Sequence, residues 1–289
     1  MSSSYLGLEN AHVLITGASG GLGVVLARLL VSEAGARVTA HHNAPLKTDA
    51  PLALLAAELG PTHLRTVQAD VTDEDQVAAA VAAAAAPSPH QWSVCWGPPT
   101  ILVVAHGIWP TEDVAVADMD LTRWRRTLAV NLDGTFLFLK HWHRAVASAA
   151  LPSTFTNISA VLIGSTAGGF GEAYHADYAS SKAAFQPGGL LRSLKNELPR
   201  TLHPRARINT VAPGWIRTPM AARALADPNL LGQAMATSPL RKVSEPEDVA
   251  RAVMWAASGN AAGNVTGTVI HVDAGMEGRL LWAPPASKL

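Results

Sequence analysis

Short apolar runs alternate along this chain with longer stretches in which apolar residues return every three or four positions. His12–Gly17, Arg37–His42, His63–Ala69, Ile101–Ala105, Ala160–Gly164, Ile208–Ala212 and Val269–Val272 have strand length and strand composition. Gly21–Ala34, Pro51–Leu59, Asp73–Ala86, Asp118–Ala149, Asp177–Leu202 and Pro246–Ser258 carry the helical period. Asp73 and Glu74 suit a helix N-terminus, where acids complement the dipole. Strands that alternate with helices predict an α/β fold: a doubly wound, seven-stranded parallel sheet with helices on both faces. A single domain of this kind accommodates 289 residues. Residues 87–99 interrupt the alternation with four prolines, Trp92 and Trp96, and read as a surface insertion before the fourth strand.

The first strand runs into Thr16-Gly17-Ala18-Ser19-Gly20-Gly21-Leu22-Gly23 and then into the apolar stretch Val24–Val31. Strand, glycine turn and helix form the arrangement that cradles a pyrophosphate. Glycines permit the tight turn and close backbone approach, and the helix N-terminus presents free N–H groups with a partial positive charge.

Tyr178 and Lys182 stand four residues apart in Tyr-Ala-Ser-Ser-Lys, with Ser165 thirteen residues upstream. On a helix, that spacing puts phenol and ammonium on one face. A neighbouring cation favours the phenolate and is expected to lower the phenol's pKa from its usual value of about 10. A serine hydroxyl beside it would orient a substrate oxygen. Together these groups would transfer a proton to or from a carbonyl or alcohol.

These motifs, in this order, resemble those of the short-chain dehydrogenases/reductases, over nearly the whole chain. Thr16–Gly23 is similar to the family's glycine-rich turn, Asp70-Val71 to the Asp that ends the third strand and contacts adenine, and Asn131 to its catalytic Asn. Pro213-Gly214 follows the sixth strand as in the family, whereas Ala105-His106-Gly107 stands where Asn-Ala-Gly is usual. The resemblance implies a Rossmann fold and a nicotinamide-dependent oxidoreductase that interconverts a carbonyl and a secondary alcohol. It implies catalytic roles for Asn131, Ser165, Tyr178 and Lys182. It places Gly17, Ser19, Gly21, Leu22, Gly23, Asp70, Val71, Ala105, Gly107, Pro213, Gly214, Ile216 and Thr218 at the cofactor, with Tyr178 and Lys182 touching it too. Residues 215–240, with Pro219–Ala236 helical, correspond to a mobile substrate lid; Trp109, Ser165, Phe170, Trp215, Met220 and Met235 would line the pocket. The family's pairing of its helices across two-fold axes implies a homotetramer or dimer.

A carboxylate about 20 residues past the glycines would take the ribose hydroxyls of NAD. Here the second strand ends His41-His42-Asn43, with no acid there. Its absence permits a 2′-phosphate, which His42, Asn43 and Lys47 would greet, so NADP(H) is expected over NAD(H).

The 22 basic and 22 acidic residues cancel, and no basic stripe announces nucleic acid. Charged residues make up 15%, below the usual quarter; helix faces buried in an oligomer and alanine runs such as Ala78–Ala86 both contribute to that reading. Cys95 is the single cysteine, which rules out an internal disulfide and suits a reducing compartment. His41-His42 and His141-x-His143 lack ligand partners at metal spacing and read as surface or packing histidines, so no metal is expected. Met1–Asn10 lacks a signal-peptide apolar stretch, and no run of about 18 apolar residues predicts a membrane span.

The sequence ends Ser287-Lys288-Leu289, the peroxisomal import address read by a receptor. Peroxisomal location is therefore expected, with the cytoplasm otherwise. An N-terminal fluorescent fusion is expected in puncta; a C-terminal fusion, which blocks the carboxylate, is expected to stay diffuse. The address makes a 3-hydroxyacyl-CoA or fatty acyl-CoA oxidoreductase one alternative, although no basic patch awaits the CoA phosphates. A nucleotide-binding scaffold without turnover is another.

Overall fold

The computed structural model describes residues 5–86, 96–149, 151, 157–276 and 278–279. Most of the expected insertion at 87–99, and the tail with Ser287-Lys288-Leu289, lie outside the described residues. The strands are β1 His12–Thr16, β2 Arg37–His42, β3 Leu64–Gln68, β4 Ile101–Val104, β5 Ser159–Ile163, β6 Arg207–Pro213 and β7 Val269–Val272. They form one sheet in the order β3-β2-β1-β4-β5-β6-β7, and every pairing is parallel. The helices are α1 Gly21–Ser32, α2 Pro51–Leu59, α3 Glu74–Ala85, α4 Leu121–Leu128, α5 Gly134–Ser148, α6 Ala167–Phe170, α7 Ala176–Ala183, α8 Leu190–Thr201, α9 Ala222–Ala226, α10 Pro228–Ala236 and α11 Pro246–Ala257. This is a Rossmann-type single domain.

Successive strand residues face opposite sides of the sheet, so each strand feeds two cores. Val13, Ile15, Ile101, Val103 and Val161 pack under α1, α2 and α11. Leu14, Leu102, Val104, Ala160 and Leu162 pack under α3, α5 and α8. On that second face Trp142 is wholly buried and donates its indole N–H to Pro99 O at 2.7 Å. Burial on both faces explains why the central strands read as unbroken apolar runs.

The structure departs from the sequence expectation in several places; the lid expected to be helical over Pro219–Ala236 holds two helices, α9 and α10, with Asp227 between them. Asp118–Ala149 is not one helix. Asp120 caps α4, accepting the N–H of Thr122 at 2.7 Å, and a π-helical turn at Ala129–Asp133 separates α4 from α5. Asp177–Leu202 is also two helices. Gln186-Pro187-Gly188-Gly189 lies between α7 and α8; Pro187 has no N–H to donate and disfavours the helical conformation at Gln186, and the glycines weaken helix formation further. Finally, β6 begins at Arg207, a buried charge. Its guanidinium donates to the carbonyls of Ala256, Ala257 and Ala262, closing the C-terminal end of α11 where cations are favoured.

Sheet order reverses at β1, between β2 and β4. Crevices form outside the carboxyl ends of the strands at such a switch point. Thr16-Gly17, Ala105-His106-Gly107, Gly164-Ser165 and Pro213-Gly214 all follow or end strands at that edge.

Candidate active site

At the end of β1 the backbone turns with Gly17 at φ +65°, and a Cβ there would lie 2.6 Å from His106 Cα. A Cβ on Gly23 would lie 2.4 Å from Gly17 O, and one on Gly21 would lie 2.8 Å from Pro219 Cδ. Only glycine fits. Gly20, the N-cap of α1, supplies no side-chain cap. The first-turn N–H groups of Gly21, Leu22 and Gly23 are therefore not capped from within, as a diphosphate cradle requires. Ser19, exposed, completes the turn.

Two histidines hold this turn from beneath. Gly17 donates its N–H to His41 Nδ1 at 3.2 Å, so His41 Nε2 is the donor to Ala69 O at 2.9 Å. His106 sends its side chain inward: Nε2 meets Val130 O at 3.1 Å and Nδ1 meets the Thr16 hydroxyl at 2.7 Å. That hydroxyl also accepts the Ala105 N–H at 3.1 Å. His41 is thus a packing histidine, edge-on to Phe138, whose two hydrogen bonds fix its tautomer and hold the turn. Burial, the dominant cause, lowers His41 to about 4 and His106 to about 3. His12, bonded to Gly97 O and to Thr39, is lowered to about 4 by the same cause.

These shifts predict acid lability. Above about pH 7.5 the three rings are neutral folded or unfolded, and their full contribution is present. As pH falls from about 6.5 toward about 4, the unfolded chain binds protons that the folded chain refuses, so stability falls. Near pH 5 nearly three protons separate the two states, a slope of about 4 kcal/mol per pH unit. Urea midpoints measured from pH 7.5 to 4.5 check this; a flat profile would refute it.

The four residues expected to be catalytic come together from separate elements. Asn131 is wholly buried in the π-helical turn. Its Oδ1 accepts the N–H of Ile108 at 2.8 Å, and its Nδ2 donates to Ile108 O and to Ser181 Oγ, both at 3.0 Å. Such turns recur at functional sites because the extra residue redirects a side chain. Ser181 Oγ in turn donates to Tyr178 O at 2.7 Å, tying Asn131 to the first turn of α7. Arg123 of α4 holds that helix through Asp177, with Nε 3.1 Å from Oδ2, and Thr127 donates to the same oxygen at 2.8 Å. Ser165 follows β5, and its hydroxyl lines the same cavity as the Tyr178 phenol. A Cβ on Gly107 would lie 3.3 Å from Asn131 Oδ1 and 3.6 Å from Lys182 Nζ, so that glycine borders both.

Electrostatics here differ from the sequence expectation. Burial pushes Tyr178 up to about 12; the neighbouring Ser165 hydroxyl opposes this, and the nearby Glu172 charge adds to it. Lys182 does not offset the rise. Its Nζ lies 5.9 Å from the Tyr178 ring centroid and donates to Ile163 O at 2.8 Å, and burial lowers it to about 8. Desolvation outweighs the cation because the buried ammonium is turned to Ile163 O rather than to the phenol.

A cavity of about 410 Å³ opens on Tyr178 and Ser165. Trp109, Phe170, Trp215 and Met220 line it, as do Gly214, Ile216 and Thr218, so residues expected at substrate and at cofactor meet in one space. Met235 does not line it. α10 turns Leu230, Gln233, Ala234 and Thr237 toward the cavity, the i, i+3, i+4, i+7 face, and Met235 falls off that stripe. Sequence reasoning missed Glu172, the carboxyl in the wall, although an acid between Phe170 and Tyr178 was visible.

Elsewhere, Asp70 accepts the N–H and hydroxyl of Thr72 at 2.9 and 2.7 Å, and Val71 packs beside Gly134. His42 ends β2 buried, Nδ1 donating to Ala44 O at 2.8 Å, while Asn43 and Lys47 are exposed. Among the described residues no group of three His, Cys, Asp or Glu could hold a metal, and no helix is long and apolar enough to cross a membrane.

A family model described as enoyl-(acyl carrier protein) reductase matches residues 17–277. The cis-4-hydroxycyclohexanecarboxylate dehydrogenase of Sinomonas cyclohexanicum is 33% identical over 91% of this chain and 94% of its own. The (3R)-3-hydroxyacyl-CoA dehydrogenase of Homo sapiens is 31% identical over 93% of this chain and 96% of its own. The crystal structure of a short-chain dehydrogenase/reductase from Brucella melitensis, described as glucose/ribitol dehydrogenase, superposes with a TM-score of 0.74 at 30% identity, covering 93% of this chain and 97% of that one.

Proposed function

The chain belongs to the short-chain dehydrogenase/reductase family and is an oxidoreductase of hydroxyl and carbonyl substrates, and we propose that it interconverts a carbonyl and a secondary alcohol on a small, largely apolar substrate with NADP(H) preferred. The observation that carries this reading is the single cavity in which Tyr178 and Ser165 meet Gly214, Ile216 and Thr218.

The glycine turn and the N-terminus of α1 would hold the diphosphate, Asp70-Val71 the adenine, and Lys182 the nicotinamide ribose. When bound, the nicotinamide supplies the hydride for reduction and takes it up in oxidation. Ser165 Oγ hydrogen-bonds the substrate oxygen and polarises the carbonyl. Tyr178 Oη gives that oxygen its proton in reduction and removes it in oxidation. With its pKa near 12, the phenol is protonated at neutral pH, loaded as the acid that reduction needs. Asn131, fixed between Ile108 and Ser181, keeps its carboxamide beside Gly107 and Lys182, where a proton path to solvent would start. Incubation with NADPH or NADH and a panel of ketones, quinones and 3-ketoacyl-CoAs tests the reading; no oxidation of either coenzyme across the panel overturns it.

For the nucleotide, the support is the missing acid at the end of β2. NADPH is expected to bind more tightly than NADH, and His42→Asp to weaken NADPH by about tenfold more than NADH through repulsion of the 2′-phosphate. Fluorescence titration of both coenzymes decides; equal losses sink the preference. The relatives named for (3R)-3-hydroxyacyl-CoA keep the thioester reading open, and the 3-ketoacyl-CoA arm of the panel tests it. A homo-oligomer is proposed from exposed Leu121 on α4 and Phe136 on α5; a monomer mass by light scattering at micromolar concentration counts against it.

A further inference from the structure

Among the described residues lining the cavity, Glu172 is the one carboxylate, and no described Lys, Arg or His joins it. The remaining wall is aromatic and aliphatic, with a few hydroxyls and amides. Glu172 follows α6 in the turn that leads to α7 and Tyr178. Its Oε1 accepts the indole N–H of Trp109 at 3.0 Å. Trp109 is itself fixed, stacked on His175 at 4.9 Å and 15° and edge-on to Trp215 at 6.0 Å. A carboxyl anchored by a braced indole has a defined place in the wall, with a quarter of its side chain open.

Holding Trp109 needs one acceptor oxygen, which a neutral amide also provides. A carboxylate brings a second oxygen and a charge, and the protein compensates that charge poorly. The nearest basic nitrogen, His175 Nδ1, is 3.8 Å from Oε1 and equally far from Asp113. Burial raises the Glu172 carboxyl above its ordinary range, with the Asp113 and Asp177 charges adding to the rise while His175 and the Trp109 bond oppose it. A poorly compensated carboxylate in a wall with two indoles is a receptor for an organic cation. The charge attracts it, and the apolar surroundings of Trp109 and Trp215 screen that attraction less than water would. The same wall repels a carboxylate or phosphate.

We propose that Glu172 determines specificity by selecting carbonyl or alcohol substrates that carry a protonated amine and by rejecting anionic ones. This rests on the reading of the cavity as the reduction site.

The test compares three ketones of one ring size with the coenzyme present: 4-aminocyclohexanone as its ammonium, neutral cyclohexanone and 4-oxocyclohexanecarboxylate. The wild-type kcat/KM is expected to be at least about tenfold higher for the ammonium than for the neutral ketone, and at least about tenfold lower for the carboxylate. In Glu172→Gln the ammonium-to-neutral ratio is expected to fall near one, and in Glu172→Asp to stay high. A wild-type ratio near one overturns the proposal, as does a ratio that survives Glu172→Gln. In the first of these outcomes cyclohexanone turnover still upholds the oxidoreductase reading. Should no ketone react, calorimetric titration of the wild-type protein with benzylammonium, benzyl alcohol and benzoate decides in place of rates. Affinity in that order supports the proposal, and equal affinity or a preference for benzoate overturns it. Because the wild-type order is decisive by itself, a variant that fails to fold does not shelter the claim.

Discussion

Tyr178→Phe is expected to lower ketone reduction by roughly 10²–10⁴-fold, the usual worth of a positioned general acid, while the reduced coenzyme still binds. The substitution removes one oxygen from a side chain in the cavity wall and leaves the ring, so the shape of the site is kept. The Ser165 hydroxyl keeps the N–H of Ala167 at 3.1 Å. Lys182 loses nothing, because its ammonium is bonded to Ile163 O. Single-turnover oxidation of NADPH, beside a fluorescence binding titration, separates the two effects. More than about a tenth of the wild-type rate would remove Tyr178 from the proton-transfer step. A parallel loss of coenzyme binding would make it a structural residue.

Gly17→Ala is expected to destabilise the chain by more than about 3 kcal/mol and to abolish detectable dinucleotide binding. Two costs add. A Cβ at φ +65° costs about 1–2 kcal/mol of backbone strain. The Cβ would also stand 2.6 Å from His106 Cα and 2.8 Å from His106 N, backbone atoms of the next strand's exit that cannot step aside without moving β4 against β1. Moving them would disturb the Thr16–His106 bond and the His41 bond to the Gly17 N–H as well. Gly35→Ala provides the comparison. Its φ is +64°, but a Cβ there meets nothing closer than Glu9 Cγ at 3.6 Å, an ordinary contact, so only the strain remains. Urea denaturation of both variants should show Gly17→Ala at least about 2 kcal/mol worse than Gly35→Ala. Equal losses would mean that the glycine is required for its conformation alone.

Much of this protein is legible along the chain because much of it is local. Strand and helix are periods of two and 3.6, and the apolar positions display them. A glycine turn between strand and helix, and a Tyr and Lys one helical turn apart, are short-range geometry. The break at Pro187-Gly188-Gly189 was equally local and open to the same reasoning; the long periodic stretch obscured it. Tertiary structure decided what depends on chain segments returning to one another. Asn131 finds Ile108 and Ser181, His41 finds Gly17, and Trp109 finds Glu172 across 23, 50, 24 and 63 positions. No spacing rule encodes such pairs, since they arise when β1, β4 and β5 deliver their carboxyl ends to one edge. Protonation follows the same division. The Tyr-Lys spacing places a cation on the face of a phenol, but which effect governs its pKa depends on how much water the fold leaves around both groups. Here packing removed enough water for desolvation to prevail.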